Sequence, residues 1–139
     1  MKLLCFQAKR FHWKTHSKTL PEAADQAIDQ EVSESVVVFL HAEAADGDGE
    51  RNVSVMRQTL KHIKWLANKR ELKTIVLHSF THLGGVTAPA SLAETLIVTL
   101  QQRLIETGYQ VWTTPFGYFC EWDLSVYGES LAKVWKEIH

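Results

Sequence analysis

Two short stretches gather the groups in this chain that could do chemistry. Ser79-Phe80-Thr81-His82-Leu83 carries a histidine next to an aromatic ring, and Thr114-Pro115-Phe116-Gly117-Tyr118-Phe119 sets three aromatic rings around a proline and a glycine. Each falls at the end of a predicted strand, where backbone N–H and C=O groups are no longer owed to a sheet and can bind a ligand. Together they predict a small-molecule pocket. Phe80, Thr81 and His82 would line one wall and Phe116, Gly117, Tyr118 and Phe119 another, with His82 the side chain best suited to reading a small polar substrate.

Other reactive residue types carry less. His78 and His82 are four apart, a zinc spacing on a helix, but here they straddle a strand end with no third ligand nearby. Cys5 and Cys120 form neither a disulfide framework nor a zinc pattern, and no Cys-His-acid order makes Cys120 a defensible nucleophile. Asp46-Gly47-Asp48-Gly49-Glu50 looks like a calcium loop, yet it lacks the ligand register and the distal glutamate, and reads as an exposed turn. No metal and no cofactor is expected.

The elements that must hold these groups follow from periodicity. Lys2 to Gln7 reads as a strand, and the alternation of Phe11, Trp13 and Thr15 with polar neighbours reads as a second, which predicts an N-terminal hairpin. Residues 19–33 read as a loop or short helix, and Val36 to Leu40, apolar on both faces, as a central strand. Val53, Met56, Leu60, Ile63 and Ala67 recur at helical spacing, predicting a helix over about Val53 to Lys69. A strand over Lys73 to Phe80 and a loop from Thr81 to Ala90 come next. Ser91-Leu92-Ala93-Glu94 has the form of a capping box opening a helix that Gly108 ends. Two strands around the Pro-Phe-Gly-Tyr turn follow, and Leu131, Val134, Trp135 and Ile138 predict a closing helix over Glu129 to Ile138.

The two pocket stretches, in wording and interval, resemble the N-terminal editing domain of archaeal threonyl-tRNA synthetases, a domain related to the D-aminoacyl-tRNA deacylases. The likeness runs from Lys2-Leu3-Leu4-Cys5-Phe6 through Val36-Val37-Val38-Phe39 to Ser130-Leu131-Ala132-Lys133, and is weakest between Gln7 and Ser35. It implies an α/β fold with a mixed, curved sheet, helices packed outside, and a homodimer. It also implies a reaction, removal of serine wrongly attached to threonine tRNA while threonine is spared, acting on the 3′ end of that tRNA with a catalytic threonyl-tRNA synthetase in cis or in trans. Such a second site is needed because one methyl is worth only about 1–3 kcal/mol of discrimination. Ala42, on the central strand, then joins Phe116, Gly117 and Tyr118 as a candidate for narrowing the pocket.

One departure from the family bears on catalysis. The family has a lysine directly after the aromatic pair and a glutamate on the last helix, where this chain has Cys120 and Lys133. If those two face one another across the pocket, the long lysine stem could return an ammonium to it. Lys133, Cys120 and His82 are the catalytic candidates on that reading. The alternatives are a D-aminoacyl-tRNA deacylase, or an editing fold that lost its chemistry and only docks to tRNA or synthetase.

A chain of 139 residues suits one compact domain, and a formal charge of −1 is low for a protein that grips a whole tRNA. The charges are nevertheless segregated. Residues 1–20 hold Lys2, Lys9, Arg10, Lys14 and Lys18 with no acid, residues 21–50 hold only acids, and Arg51, Arg57, Lys61, Lys64, Lys69, Arg70 and Lys73 face only Glu71. Contact with the acceptor end of a tRNA is expected, with the rest left to a larger partner. No apolar run approaches the roughly 20 residues that span a bilayer, and no signal-peptide core follows Met1, so no membrane association and a cytoplasmic location are expected.

Overall fold

The computed structural model describes residues 1–139. Six strands form one mixed sheet: β1 (Lys2–Lys18), β2 (Asp29–His41), β3 (Thr74–Ser79), β4 (Gln110–Thr113), β5 (Tyr118–Val126) and β6 (Lys133–Glu137). The order is β4-β3-β2-β1-β5, with β6 also paired to β1. Parallel pairs β2–β3 and β3–β4 are joined by crossover helices, α1 (Gly49–Asn68) and α2 (Ala90–Glu106), as parallel neighbours require. Both helices lie on one face of the sheet. There Leu3, Cys5, Val36, Val38, Leu40, Ile75 and Leu77 meet Val55, Ile63, Leu66, Leu96, Leu100 and Leu104 in one core.

The alternate residues of the same strands, Val37, Phe39 and Val76, turn to the other face and pack with Phe11 and Trp13. This is why the central strand is apolar throughout. The sheet is strongly curved, since Trp13 on β1 and Trp112 on β4 bring their rings within 6.2 Å although two strands separate them. The expected fold, a mixed curved sheet with helices outside, is the one found.

Several local expectations are corrected, and residues 29–33, expected in a loop or short helix, belong to β2. The N-terminal hairpin is instead one 17-residue strand. Its ladder with β2 skips the Lys9–Glu34 pair, and Glu34 has φ of +50°. At the same point the ladder with β5 shifts register between Ala8 and Arg10, and beyond this irregularity Phe11 and Trp13 share a face with Phe6 and Ala8, a change of parity that imitates a break between two strands. The capping box does not form. Pro89, with φ fixed near −54°, stands at the cap and its carbonyl accepts the Ala93 N–H.

The closing helix is a single 3-10 turn, Ser130–Ala132, followed by β6. β5 leaves the edge of β1 at Ala8, so the N–H and C=O groups of Lys2 to Phe6 would be unpaired without another strand, and β6 supplies it. Lys133 therefore sits on an edge strand opposite Phe6, not on a helix.

The charge segregation is largely spent inside the molecule. Lys2 pairs with Glu43, Arg10 with Glu31, His12 with Asp29, and Lys18 with Asp25, so the first basic block faces the acidic block. Asp46 is no exposed turn residue. It is wholly buried, holding the Met1 ammonium at 2.9 Å through one oxygen and the Glu43 N–H at 2.7 Å through the other. No helix is long and apolar enough to cross a membrane.

Candidate functional site

A cavity of about 510 Å³ opens where β3 ends, bounded by the loop after β3, the start of α2, and the turn joining β4 to β5. Parallel strands place their C-terminal ends together at such a point, and the loops leaving them form the wall. Phe80, Thr81, His82, Phe116, Gly117, Tyr118, Phe119 and Cys120 all line it. Ala42 does not; it is a core residue whose carbonyl accepts the Ala88 N–H.

Lys133 is not at the cavity either. It is exposed, with Nζ donating to the Gly128 carbonyl at 3.2 Å. Along β1, Cys120 lies opposite Thr15 and Lys133 opposite Phe6, nine residues apart or roughly 30 Å at the rise of a strand. Within one chain the two cannot face each other, because β5 and β6 share the same edge of β1 end to end.

Gly117 carries the geometry of the β4–β5 turn. Its φ is +82°, its carbonyl accepts the Thr19 and Leu20 N–H groups, and a Cβ there would come within 3.1 Å of the Ala23 side chain and 3.3 Å of Leu20. Tyr118 fastens the same loop, its hydroxyl donating to the Ala24 carbonyl at 2.7 Å and accepting the Gln26 N–H at 2.9 Å. The phenol is committed to the scaffold, and the ring is what meets the cavity. Gly117→Ala should lower stability by about 1–3 kcal/mol from backbone strain and crowding, read as a lower Tm in thermal melts. A melt unchanged from the parent would show that the turn relaxes freely.

Several lining residues carried no usable sequence signal. His78 is nearly buried, with Nδ1 2.8 Å from Thr114 Oγ1 and its ring 4.9 Å from that of Phe39. Burial pushes its imidazole down to about 4, so it is neutral around pH 7. Trp122, Thr87 and Leu20 also reach the wall, each from a different segment. Alternation could have flagged Trp122, but nothing local marks Thr87 or Leu20.

The cavity holds no Asp, Glu, Lys or Arg side chain. Burial raises the Cys120 thiol above its usual range, which keeps it protonated and a poor nucleophile. What the wall does offer is hydrogen-bond donors. The backbone N–H groups of Thr81, His82, Phe116 and Gly117 have no acceptor within the protein. Unpaired amides of this kind are the groups that stabilise a developing oxyanion.

Comparison with known proteins agrees with this architecture. The family model described as the archaea-specific editing domain of threonyl-tRNA synthetase matches residues 1–138. Threonine–tRNA ligases of Hyperthermus butylicus and Staphylothermus marinus are 31% and 33% identical over 96% and 99% of this chain. The chain spans 22% of the length of each of these relatives. A solved structure, the c-Myc DNA Unwinding Element Binding Protein, superposes with a TM-score of 0.66 over 99% of this chain and 98% of its own; at 14% identity it shows a shared fold. On the match across nearly its whole length, this chain belongs to the archaea-specific editing-domain family of threonyl-tRNA synthetase.

Proposed function

We propose that this chain is a proofreading hydrolase domain that clears serine from threonine tRNA and leaves threonine in place. The observation that carries the reading is the set of four acceptor-free backbone N–H groups, at Thr81, His82, Phe116 and Gly117, on residues lining one uncharged cavity at the strand ends. An ester carbonyl bound against such donors is polarised without a charged catalyst. The ribose hydroxyl next to the ester can carry the proton handling. His82, exposed at the cavity beside the Phe80 ring, suits recognition of the seryl group.

A nucleic-acid partner is favoured by the outer side of α1. Val53, Arg57, Lys61, Trp65 and Lys69 follow one another at four-residue intervals, all exposed, and Lys69 lies 5.9 Å over the Trp65 ring. None of these cations has an acidic partner, unlike those of β1. Phosphates of an acceptor stem fit such a stripe. The rest of the tRNA falls to a catalytic threonyl-tRNA synthetase in cis or in trans, in the cytoplasm.

A homodimer is part of the same reading. Phe119 and Trp135 are 59% and 53% exposed on β5 and β6, strands whose outer edges are unpaired. Only a second copy could bring its Lys133 to this cavity, given the separation within one chain.

The test is deacylation of Ser-tRNA(Thr), Thr-tRNA(Thr) and a D-aminoacyl tRNA by the purified protein. Clearance of the first alone supports the proposal, and preference for the D-form would reassign the domain. The uncharged cavity also favours a second reading, a module that binds tRNA without turnover; binding of Ser-tRNA(Thr) with no clearance would establish it.

A further inference from the structure

His41 ends β2 behind the cavity wall, 1% exposed, with both ring nitrogens engaged. Nδ1 is 3.1 Å from the Leu83 backbone nitrogen and Nε2 is 2.9 Å from Thr87 Oγ1. A backbone N–H can only donate, so Nδ1 bears no hydrogen. The neutral ring then keeps its single hydrogen on Nε2 and donates it to the Thr87 oxygen. Thr87 is thereby left with its own hydroxyl hydrogen, for which the protein provides no acceptor, on a residue that lines the cavity.

We propose that Thr87 is a substrate-binding residue of this cavity, its hydroxyl held by His41 so that its hydrogen is offered to an oxygen of the bound aminoacyl ester. His41 is a positioning residue and touches no substrate itself. The proposal rests on the editing function above and names a specificity contact within it. A hydroxyl that already accepts a hydrogen bond is both oriented and a better donor.

The surroundings keep the ring in this form. Burial is the main influence opposing its charging, helped by the Met1 and Lys2 ammonium groups and by His82, against Glu43 alone in favour. The same polar group ties down the loop that carries Thr87. Lys2 Nζ donates to Glu43 at 2.9 Å and to the Gly84 carbonyl at 3.1 Å, and Ala44 N–H donates to the Val86 carbonyl. At Gly85, with φ of +87°, a Cβ would come within 2.5 Å of both Glu43 Oε2 and Lys2 Nζ. The loop thus threads directly over the ion pair, which fixes the height at which Thr87 meets the ring.

Two measurements on the intact protein test this. Long-range ¹H–¹⁵N NMR should find His41 as the Nε2–H tautomer, and an Nδ1–H ring would overturn the relay. Binding of a non-hydrolysable seryl-amide adenosine should weaken about tenfold in Thr87→Val, roughly 1.4 kcal/mol, and be kept in Thr87→Ser. His41→Gln, whose amide can still donate to the hydroxyl, should bind better than His41→Leu. Thr87 is exposed, so its variants should fold as the parent does. Wild-type binding with an undiminished Thr87→Val would overturn the Thr87 role alone. A wild-type protein that neither binds the analogue nor clears Ser-tRNA(Thr) would overturn the editing function and this contact with it.

Discussion

Cys120→Lys should clear Ser-tRNA(Thr) about a hundredfold faster than the parent chain. Position 120 lies on the cavity wall two residues from Tyr118, and no Asp, Glu, Lys or Arg side chain lines the cavity. The family likeness places a lysine there, so the substitution restores an ammonium beside the point where the ester carbonyl gathers charge. A donor aimed at an oxyanion is worth about 2.7–4 kcal/mol in a water-poor site, and the lower figure corresponds to a hundredfold in rate. Cys120→Ala is the companion variant. Because burial keeps the thiol protonated, its removal should leave the rate where it was. Single-turnover deacylation of both proteins decides the matter. A Cys120→Lys protein that folds and binds but is no faster would mean that the catalytic donors already suffice, whereas a dead Cys120→Ala protein would make the thiol a participant.

Asp46→Ala should be the most destabilising single substitution away from the apolar core. The carboxylate is fully buried, and it is the shared acceptor of the Met1 ammonium and the Glu43 backbone N–H. Removing it takes one of two carboxylate partners from the buried Met1 ammonium, which keeps Glu43 at 2.8 Å, and leaves the Glu43 N–H without its acceptor. A lost charge-assisted hydrogen bond and an unsatisfied buried donor together cost about 3–5 kcal/mol, a fall in Tm of roughly 10–20 °C at this chain length. Asp46→Asn, which can still accept the Glu43 N–H, should fall between. An Asp46→Ala protein melting within a few degrees of the parent would show that water takes over the role.

The same cluster sets an acid limit. Burial alone would raise the Glu43 carboxyl, but hydrogen bonds from the Met1 and Lys2 ammonium groups outweigh it and hold it at about 2. A carboxyl that is more acidic folded than unfolded stabilises the fold fully above its ordinary value near 4.5, and that stability drains away as pH falls towards 2. Glu43→Gln should be less stable at neutral pH and show a flatter decline over that range.

The crossover helices, the central strand and the two pocket stretches each leave a local signature: helical spacing from Met56 to Ala67, a doubly apolar run at Val36 to Leu40, and turn residues at Pro115 and Gly117. The segment from Glu129 to Ile138 misled for a definite reason. Its apolar residues at Leu131, Val134, Trp135 and Ile138 satisfy a helical period, but a short helix gains little by itself, and the unpaired edge of Lys2 to Phe6 could be satisfied only by a strand. The N-terminal strand misled in the opposite sense, since the irregularity at Lys9, a skipped pair against β2 and a register shift against β5, changes the alternation without ending the pairing.

From the order of residues alone came the class of fold, the family, and the two loops that meet at the cavity, because these depend on spacing within a few residues and on motifs that survive as written. Tertiary structure alone decided that Lys133 stands far from Cys120 in its own chain, that Asp46 is a buried counter-ion, and that His41 holds Thr87 at the cavity wall. Each of those facts joins residues some forty or more positions apart in the chain, or one long strand serving two neighbours. A contact of that kind is fixed by which edge remains unpaired and which charge remains unmatched after the sheet has formed, and neither leaves a trace in local sequence.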